Sequence, residues 1–197
     1  MNHFARESHI DEIAAAIGMD PVEFRLRNLP EPRFRAVLEA AANTFGWKTA
    51  AQPSGAGVGA AIGLDVGSYA AECVAVTVQG KEIAVNRVSS SIDCGLVFNP
   101  EGVRAQMEGA IIMGLGGTLF EAAEFEGGRL LNANFARYRV PRINQVPQIE
   151  VELVGADSNR STGAGEPGIV PIGPAVANAV FDATGKRIRE LPLQRGL

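Results

Sequence analysis

The sequence predicts an α+β protein, with a small leading helical subdomain followed by a mixed sheet packed with long helices. Three observations carry this. Apolar residues at helical spacing fill the first 47 positions and return in only two later segments. Between and after those segments run β-rich stretches, two of them flanking a Gly80-Lys81 pair. Helices first and a mixed block afterwards is the order of segregated elements rather than of alternating β and α units. The expected division is residues 1–47 and residues 55–197.

In chain order, ESHIDEIAAAIG places Ile10, Ile13, Ala14 and Ile17 on one helical face and stops at Gly18. Asp20 caps a second helix with Pro21 at its first position, and Phe24, Leu26 and Leu29 supply its apolar contacts. PRFRAVLEAAANTF forms a third helix, with Gly46 where a C-terminal cap glycine belongs. KTAAQPSGAG, 48–57, reads as a linker of small and polar residues. VGAAIGLDVG, SYAAECVAVTVQ and KEIAVNRVSSSID then read as strands, the last two as a hairpin.

NPEGVRAQMEGAIIMGLGGTLFEAAEF predicts a long helix opened by Asn99-Pro100, offering Val103, Met107, Ile111, Met113 and Leu119 to a core. Gly109, Gly114, Gly116 and Gly117 each weaken that helix by about 1 kcal/mol against alanine. They imply either close approach by a ligand or another backbone, or simple helix–helix packing. GGRLLNANFARYRVPRINQVP predicts a strand entering an irregular basic loop, and QIEVELVGA a further strand. SNRSTGAGEPGIVPIG is a loop, followed by the apolar helix PAVANAVFDATG ending at Gly185.

Composition narrows the function classes. The chain has 197 residues, 46% hydrophobic and 20% charged, with a net charge of −4. That balance gives no electrostatic reason to expect a nucleic acid or an anionic membrane as partner. Cys73 and Cys94 are far apart and outside any metal-ligand spacing, so they read as buried or incidental thiols and no metal ligands are expected from this chain. The N-terminal MNHFARESHIDEI lacks the pattern of a signal peptide, and Gly or charge interrupts every apolar run, so no membrane span is expected.

The chemistry concentrates in GAGEPG, 163–168. A glycine-rich loop leading into a helix presents backbone N–H groups at the positive end of the helix dipole and lets a ligand approach the main chain. Glu166 in that loop either complements the dipole and sits in solvent, or serves as a general base. The spelling G-x-G-x-x-G at Gly163, Gly165 and Gly168 is not a dinucleotide fingerprint, because a polar SNRST loop precedes it, Pro167 interrupts it, and no complete βαβ unit fits before the chain ends.

Several segments together resemble the molybdopterin-binding large subunit of the xanthine dehydrogenase/aldehyde oxidase family, in the branch of the isoquinoline 1-oxidoreductase β-subunit. Gly163-Ala164-Gly165-Glu166-Pro167-Gly168, the run Ala175 to Thr184 and Gly185-Lys186-Arg187-Ile188-Arg189-Glu190-Leu191-Pro192 are similar to the family's C-terminal signature. SIDCGLVFNPEGVRAQMEGAIIMGLGGTLFE, NFARYRVPRINQVPQIEV and DEIAAAIGMDPVEFRLRNL resemble three further motifs, in the family's order.

The resemblance implies the C-terminal portion of a molybdenum-cofactor-binding domain, with Glu166 as the catalytic base. In the family this glutamate takes a proton from a molybdenum-bound hydroxide, whose oxygen attacks an electron-poor carbon of an aldehyde or N-heterocycle. The cofactor, implied to be molybdopterin cytosine dinucleotide, carries the redox chemistry, and electrons leave through a separate [2Fe–2S] subunit. Gly163, Ala164 and Gly165 would face the cofactor. Gln106 is either a further cofactor contact or a helix-surface glutamine bonded to a neighbouring loop. Arg137, Tyr138 and Arg139 either border the substrate channel or are structural.

The family's large subunits are several-fold longer, and Met1 falls where they are already deep in their sequence. The chain is therefore expected to need a partner carrying the remaining N-terminal cofactor-binding portion, with self-association as another way to cover apolar surface. A cytoplasmic location is expected, or a periplasmic one for an exported complex. The competing reading is a folded but inactive module that acts only through protein association.

Overall fold

The computed structural model describes residues 2–47, 54–155 and 159–197. Most of the expected 48–57 linker, residues 48–53, lies outside the described residues. The chain opens with α1 (Asn2–Ala16), α2 (Pro21–Asn28) and α3 (Pro32–Phe45). Asp20 accepts hydrogen bonds from the Val22 and Glu23 N–H groups, and Pro21 sits in the first turn, so α2 starts where its cap dictates. Gly46 closes α3 at φ +67, in the left-handed region. By contrast α1 begins at Asn2 rather than Glu7, because Phe4 packs on the core and Arg6 reaches the Ile62 carbonyl.

A meander of β1 (Ala56–Asp65), β2 (Ser68–Gln79) and β3 (Glu82–Asp93) follows, with the β2–β3 hairpin at Gly80-Lys81 as predicted. Asn86 is the extra residue of a bulge on β3, where Ala75 faces Arg87 and Val76 faces Val85. Then come α4 (Pro100–Leu119), the short hairpin of β4 (Phe125–Glu126) and β5 (Arg129–Leu130), and a 3-10 turn at Ile143–Gln145. This long crossover returns the chain as β6 (Gln148–Leu153), parallel to β3, and α5 (Ile169–Thr184) follows. The sheet order is β1-β2-β3-β6, antiparallel but for its last pair, so the predicted α+β class is the observed one.

Both sheet faces are covered. Val74, Val76 and Val88 pack under Ile111 and Leu115 of α4 and Ile172, Val176 and Val180 of α5. Ala60, Ile62, Ala71 and Cys73 pack under Val37, Leu38 and Ala41 of α3. Double coverage is why β2 reads as a nearly continuous small and apolar run instead of a strict alternation.

Backbone approaches backbone where β1 meets α5. A Cβ added to Gly57 or Gly59 would run into the α5 backbone at Ala175, Ala179 and Ala183, and one added to Gly63 would lie 2.5 Å from Val170 Cγ1. Alanines spaced by four along α5 face glycines spaced by two along β1, which is how helix and strand periodicities meet.

A buried polar network ties the leading helices to this pair. Arg25 donates to Glu7 Oε2 at 2.9 Å and to the Glu7 carbonyl at 2.9 Å, with both side chains out of solvent. Asn178 of α5 donates to the Ala60 carbonyl at 3.0 Å, and Arg187 bridges Asn178 Oδ1 at 2.6 Å to Asp11 Oδ2 at 2.8 Å. A charge pair of this kind is worth little against an apolar replacement, but deleting one partner strands the other.

Besides the start of α1, three sequence expectations are revised. The long helix ends at Leu119, not near Phe125, because the Phe120 and Glu121 N–H groups turn back to the Gly116 carbonyl. Met113 is 68% exposed and is not part of the core. The last helix starts at Ile169 rather than Pro174; Pro171 falls in its first turn, where a missing N–H costs nothing, while Pro174 sits inside it. Of the α4 glycines, only Gly114 meets one of the two expectations, that of helix–helix packing. Gly114 admits Ile169 and Ile172 of α5, and Gly116 admits Glu121 and Pro141 of the returning loop, whereas Gly109 and Gly117 face open space.

One core group is electrostatically costly. Glu72, in the middle of β2, is fully buried; its only hydrogen-bond partner among the described residues is Ser90 Oγ at 3.5 Å, and Oε2 has none. Burial pushes its pKa well above the ordinary carboxylate value, and the Ser90 contact offsets little of that. The unfolded chain ionises first, so stability present at low pH is lost as pH rises above the ordinary value. Glu72→Gln is therefore expected to stabilise the protein, by a margin that widens with pH in urea titrations from pH 5 to 8. Gly59→Ala is expected to lose about 1–3 kcal/mol in the same assay, as overpacking against backbone does.

Candidate functional site

The segment between β6 and α5 is held from three sides. The Thr162 N–H donates to the Cys94 carbonyl at 3.0 Å, and the Leu96 N–H to the Arg160 carbonyl at 3.2 Å, stitching it to the end of β3. From the β1–β2 turn, Ser68 Oγ donates to the Gly163 carbonyl at 2.5 Å and lies 2.7 Å from Thr162 Oγ1. Gly168 rests on α4, where an added Cβ would meet the Met107 carbonyl and sulfur and the Ala110 Cβ, each at 3.2 Å.

Between these anchors the backbone is open. Gly163 has φ +101, and a Cβ on Gly163 or Gly165 would meet nothing within 4 Å. Among the described residues, the N–H groups of Gly163, Ala164, Gly165 and Glu166 have no protein acceptor. Unpaired donors just ahead of a 16-residue helix suit an anionic or oxo-rich ligand.

Two hollows flank the loop. One, of about 240 Å³, is lined by Gly163, Ala164 and Gly165, by Gln106 and Val103 of α4, and by Cys94 to Asn99 except Gly95. The other, of about 180 Å³, is lined by Asp65, Val66, Thr162, Gly163, Gly165, Glu166 and Pro167. The structure thus brings Gln106 and residues 163–165 together in one hollow and sets Glu166 on the other side of the same loop. Both Gln106 and Glu166 are exposed.

The wall behind the first hollow is pinned by Asp93. Arg33 grips its carboxylate with two hydrogen bonds, at 2.7 and 2.8 Å, and the Gly95 N–H adds a third at 3.0 Å. Burial alone would raise the Asp93 pKa, but the Arg33 hydrogen bonds, the Gly95 N–H and the Arg33 charge outweigh it and hold the carboxyl below its ordinary value. A side chain at Gly155 would collide with that carboxylate. Cys94, beside it, is buried, and burial pushes its thiol pKa up, as it does for Cys73.

Arg137, Tyr138 and Arg139 line neither hollow. Tyr138 donates to Glu121 Oε2 at 3.1 Å, Arg139 stacks on Phe120, and Arg137 donates to the Leu131 carbonyl, so all three hold their own loop. Sequence reasoning missed the contribution of the β1–β2 turn. Its one signal was the D-V-G-S spelling between two strands, a tight turn whose destination depends on tertiary packing.

Comparison with known proteins adds a family. The sequence profile described as the molybdopterin cofactor-binding domain matches residues 10–147. The chain is 39% identical to the β-subunit of isoquinoline 1-oxidoreductase from Brevundimonas diminuta, over 98% of its own length and 25% of that protein's. It is 36% identical to the B-subunit of nicotinate dehydrogenase from Pseudomonas putida, over 98% of its length and 18% of that protein's. In structure it resembles the aldehyde oxidoreductase of Desulfovibrio desulfuricans with a TM-score of 0.81 at 14% identity, over 96% of this chain and 39% of that one. The chain thus spans a quarter or less of the length of these two curated relatives. No described helix is long and apolar enough to cross a membrane. With that profile covering most of its length and relatives 36% and 39% identical over nearly the whole chain, the chain belongs to the molybdopterin cofactor-binding domain family of xanthine dehydrogenase-type proteins.

Proposed function

We propose that the chain forms one side of a molybdenum hydroxylase site, in which residues 163–165 and Gln106 hold the cofactor and Glu166 is the catalytic base. One observation carries the reading: Gly163, Ala164 and Gly165, whose N–H groups have no acceptor among the described residues, line the same hollow as Gln106. Donors from a glycine loop without side chains suit the oxygen-rich periphery of a molybdopterin, and the Gln106 carboxamide can both donate and accept there. When bound, the cofactor supplies the oxidation chemistry and passes electrons onward.

The protein's own contribution is positioning and proton transfer. Glu166, whose backbone carbonyl accepts from the Ile169 N–H at 2.9 Å, carries the carboxylate that accepts the proton released as the oxygen nucleophile attacks an electron-poor carbon. Relatives named for isoquinoline and nicotinate favour an aromatic N-heterocycle over an aldehyde as that carbon's source. The two open hollows cannot enclose a molybdopterin alone, so the remaining contacts come from protein beyond the described residues, in a partner chain or in more of the same one. Molybdopterin cytosine dinucleotide and a [2Fe–2S] partner subunit complete the proposal, in keeping with the family resemblance of the glycine loop and the α4 motif.

In the complete enzyme, Glu166→Gln is expected to lower turnover by a factor of roughly 10²–10⁴ while molybdenum and pterin content stay at the parent level. Unchanged turnover would remove the base assignment. Gln106→Ala is expected to reduce retained pterin after gel filtration, and full retention would take Gln106 out of the cofactor site.

A further inference from the structure

The β1–β2 hairpin turns on two residues, Val66 and Gly67, at φ +48 and +85. Positive φ at both central positions is the demand of the tightest hairpin turn, which Asn-Gly or Gly-Gly meets at little cost. A β-branched residue there is an outlier, and Val66 is the only non-glycine with positive φ among the described residues. Packing does not compensate for it, since Val66 is 77% exposed.

The turn is also prevented from relaxing. Arg33 donates to the Gly67 carbonyl at 3.3 Å, and Ser68, fully buried, is bonded to the loop at Thr162 and Gly163. Val66 and Asp65 line the hollow that Glu166 also lines. Asp65 Oδ2 is buried there without a hydrogen-bond partner among the described residues, and none of the described residues lining the hollow is cationic. Strain held without a packing return marks a position kept for what it faces.

We infer that the Asp65–Val66 turn is the specificity wall of the Glu166 hollow: Val66 lays an apolar surface against a flat, uncharged ring, and the Asp65 carboxylate rejects rings that carry negative charge. The inference rests on the reading of that hollow as the reaction site. Its chemistry is simple. An isopropyl group beside a planar ring rewards close apolar contact. A carboxylate lining the same hollow disfavours a second carboxylate through like-charge repulsion.

The test uses the complete enzyme with isoquinoline and its ring-carboxylated derivative. Val66→Gly is expected to raise the melting temperature, because strain is relieved. The same variant should raise KM for isoquinoline, and the Kd of its hydroxylated product by calorimetry, about tenfold. Val66→Asn, which tolerates the same backbone, serves as the second variant and should do likewise. Asp65→Asn is expected to leave KM for isoquinoline within about twofold while raising kcat/KM for the carboxylated ring at least tenfold. A higher melting temperature with unchanged KM and Kd would overturn the wall, as would a lower one, which would place Val66 against protein instead of substrate. Glu166→Gln run alongside separates the two readings. Retained turnover there sinks the base, whereas product affinity still reports on the wall.

Discussion

The close approach of α5 to β1 is the constraint on which the remaining geometry depends. Glycine at 57, 59 and 63 leaves no side chain at those positions of the strand's inner face, with only the Ala61 methyl between them, and alanine at 175, 179 and 183 keeps the facing side of the helix to methyl groups. Backbone meets backbone, so the helix has almost no latitude to slide or rotate. Its first turn, and the loop leading into it, are placed as firmly as the sheet itself. A site assembled on that loop inherits precision from packing far below it.

The buried polar groups strengthen the same joint from its other side. Asn178 hydrogen-bonds the β1 backbone directly, and Arg187 draws Asp11 of α1 toward it, so the leading helices are fastened to α5 and β1 together. Apolar packing alone would leave α1 free to choose among several seats on a small-residue surface. Directional hydrogen bonds select one. Their value here is registry more than net stability, since the cost of burying the charges offsets much of their attraction. Glu72 shows the opposite case, a buried acid with almost nothing to satisfy it.

What was legible in the sequence was local. Asp20-Pro21 fixes the start of α2, Gly46 the end of α3, and Gly80-Lys81 a hairpin, because each is decided within a few residues by capping or turn chemistry. The start of α1, the end of α4 and the early start of α5 were not legible. Two of these are set by a partner distant in sequence, Ile62 for Arg6 and β1 for α5, while α4 ends where the Phe120 and Glu121 N–H groups turn back to the Gly116 carbonyl in a stretch without proline or a capping signal. The strand glycines carried no helix or turn signal at all, and their role appears only once α5 is laid across them. At the site, physics alone left Glu166 undecided between solvent and catalysis. Family resemblance singled out Glu166, Gln106 and residues 163–165, and the fold put the last four in one hollow. The β1–β2 turn escaped notice because nothing in D-V-G-S says which loop it will clasp.

Gly163 and Gly165 line both hollows, so the loop is a partition one backbone thick. The two hollows therefore share the same peptide planes. Tilting a plane to improve a hydrogen bond in the first hollow necessarily re-aims the chain that carries Glu166 in the second. The shapes of the two hollows are thus mechanically linked, and any change in the loop backbone alters both at once.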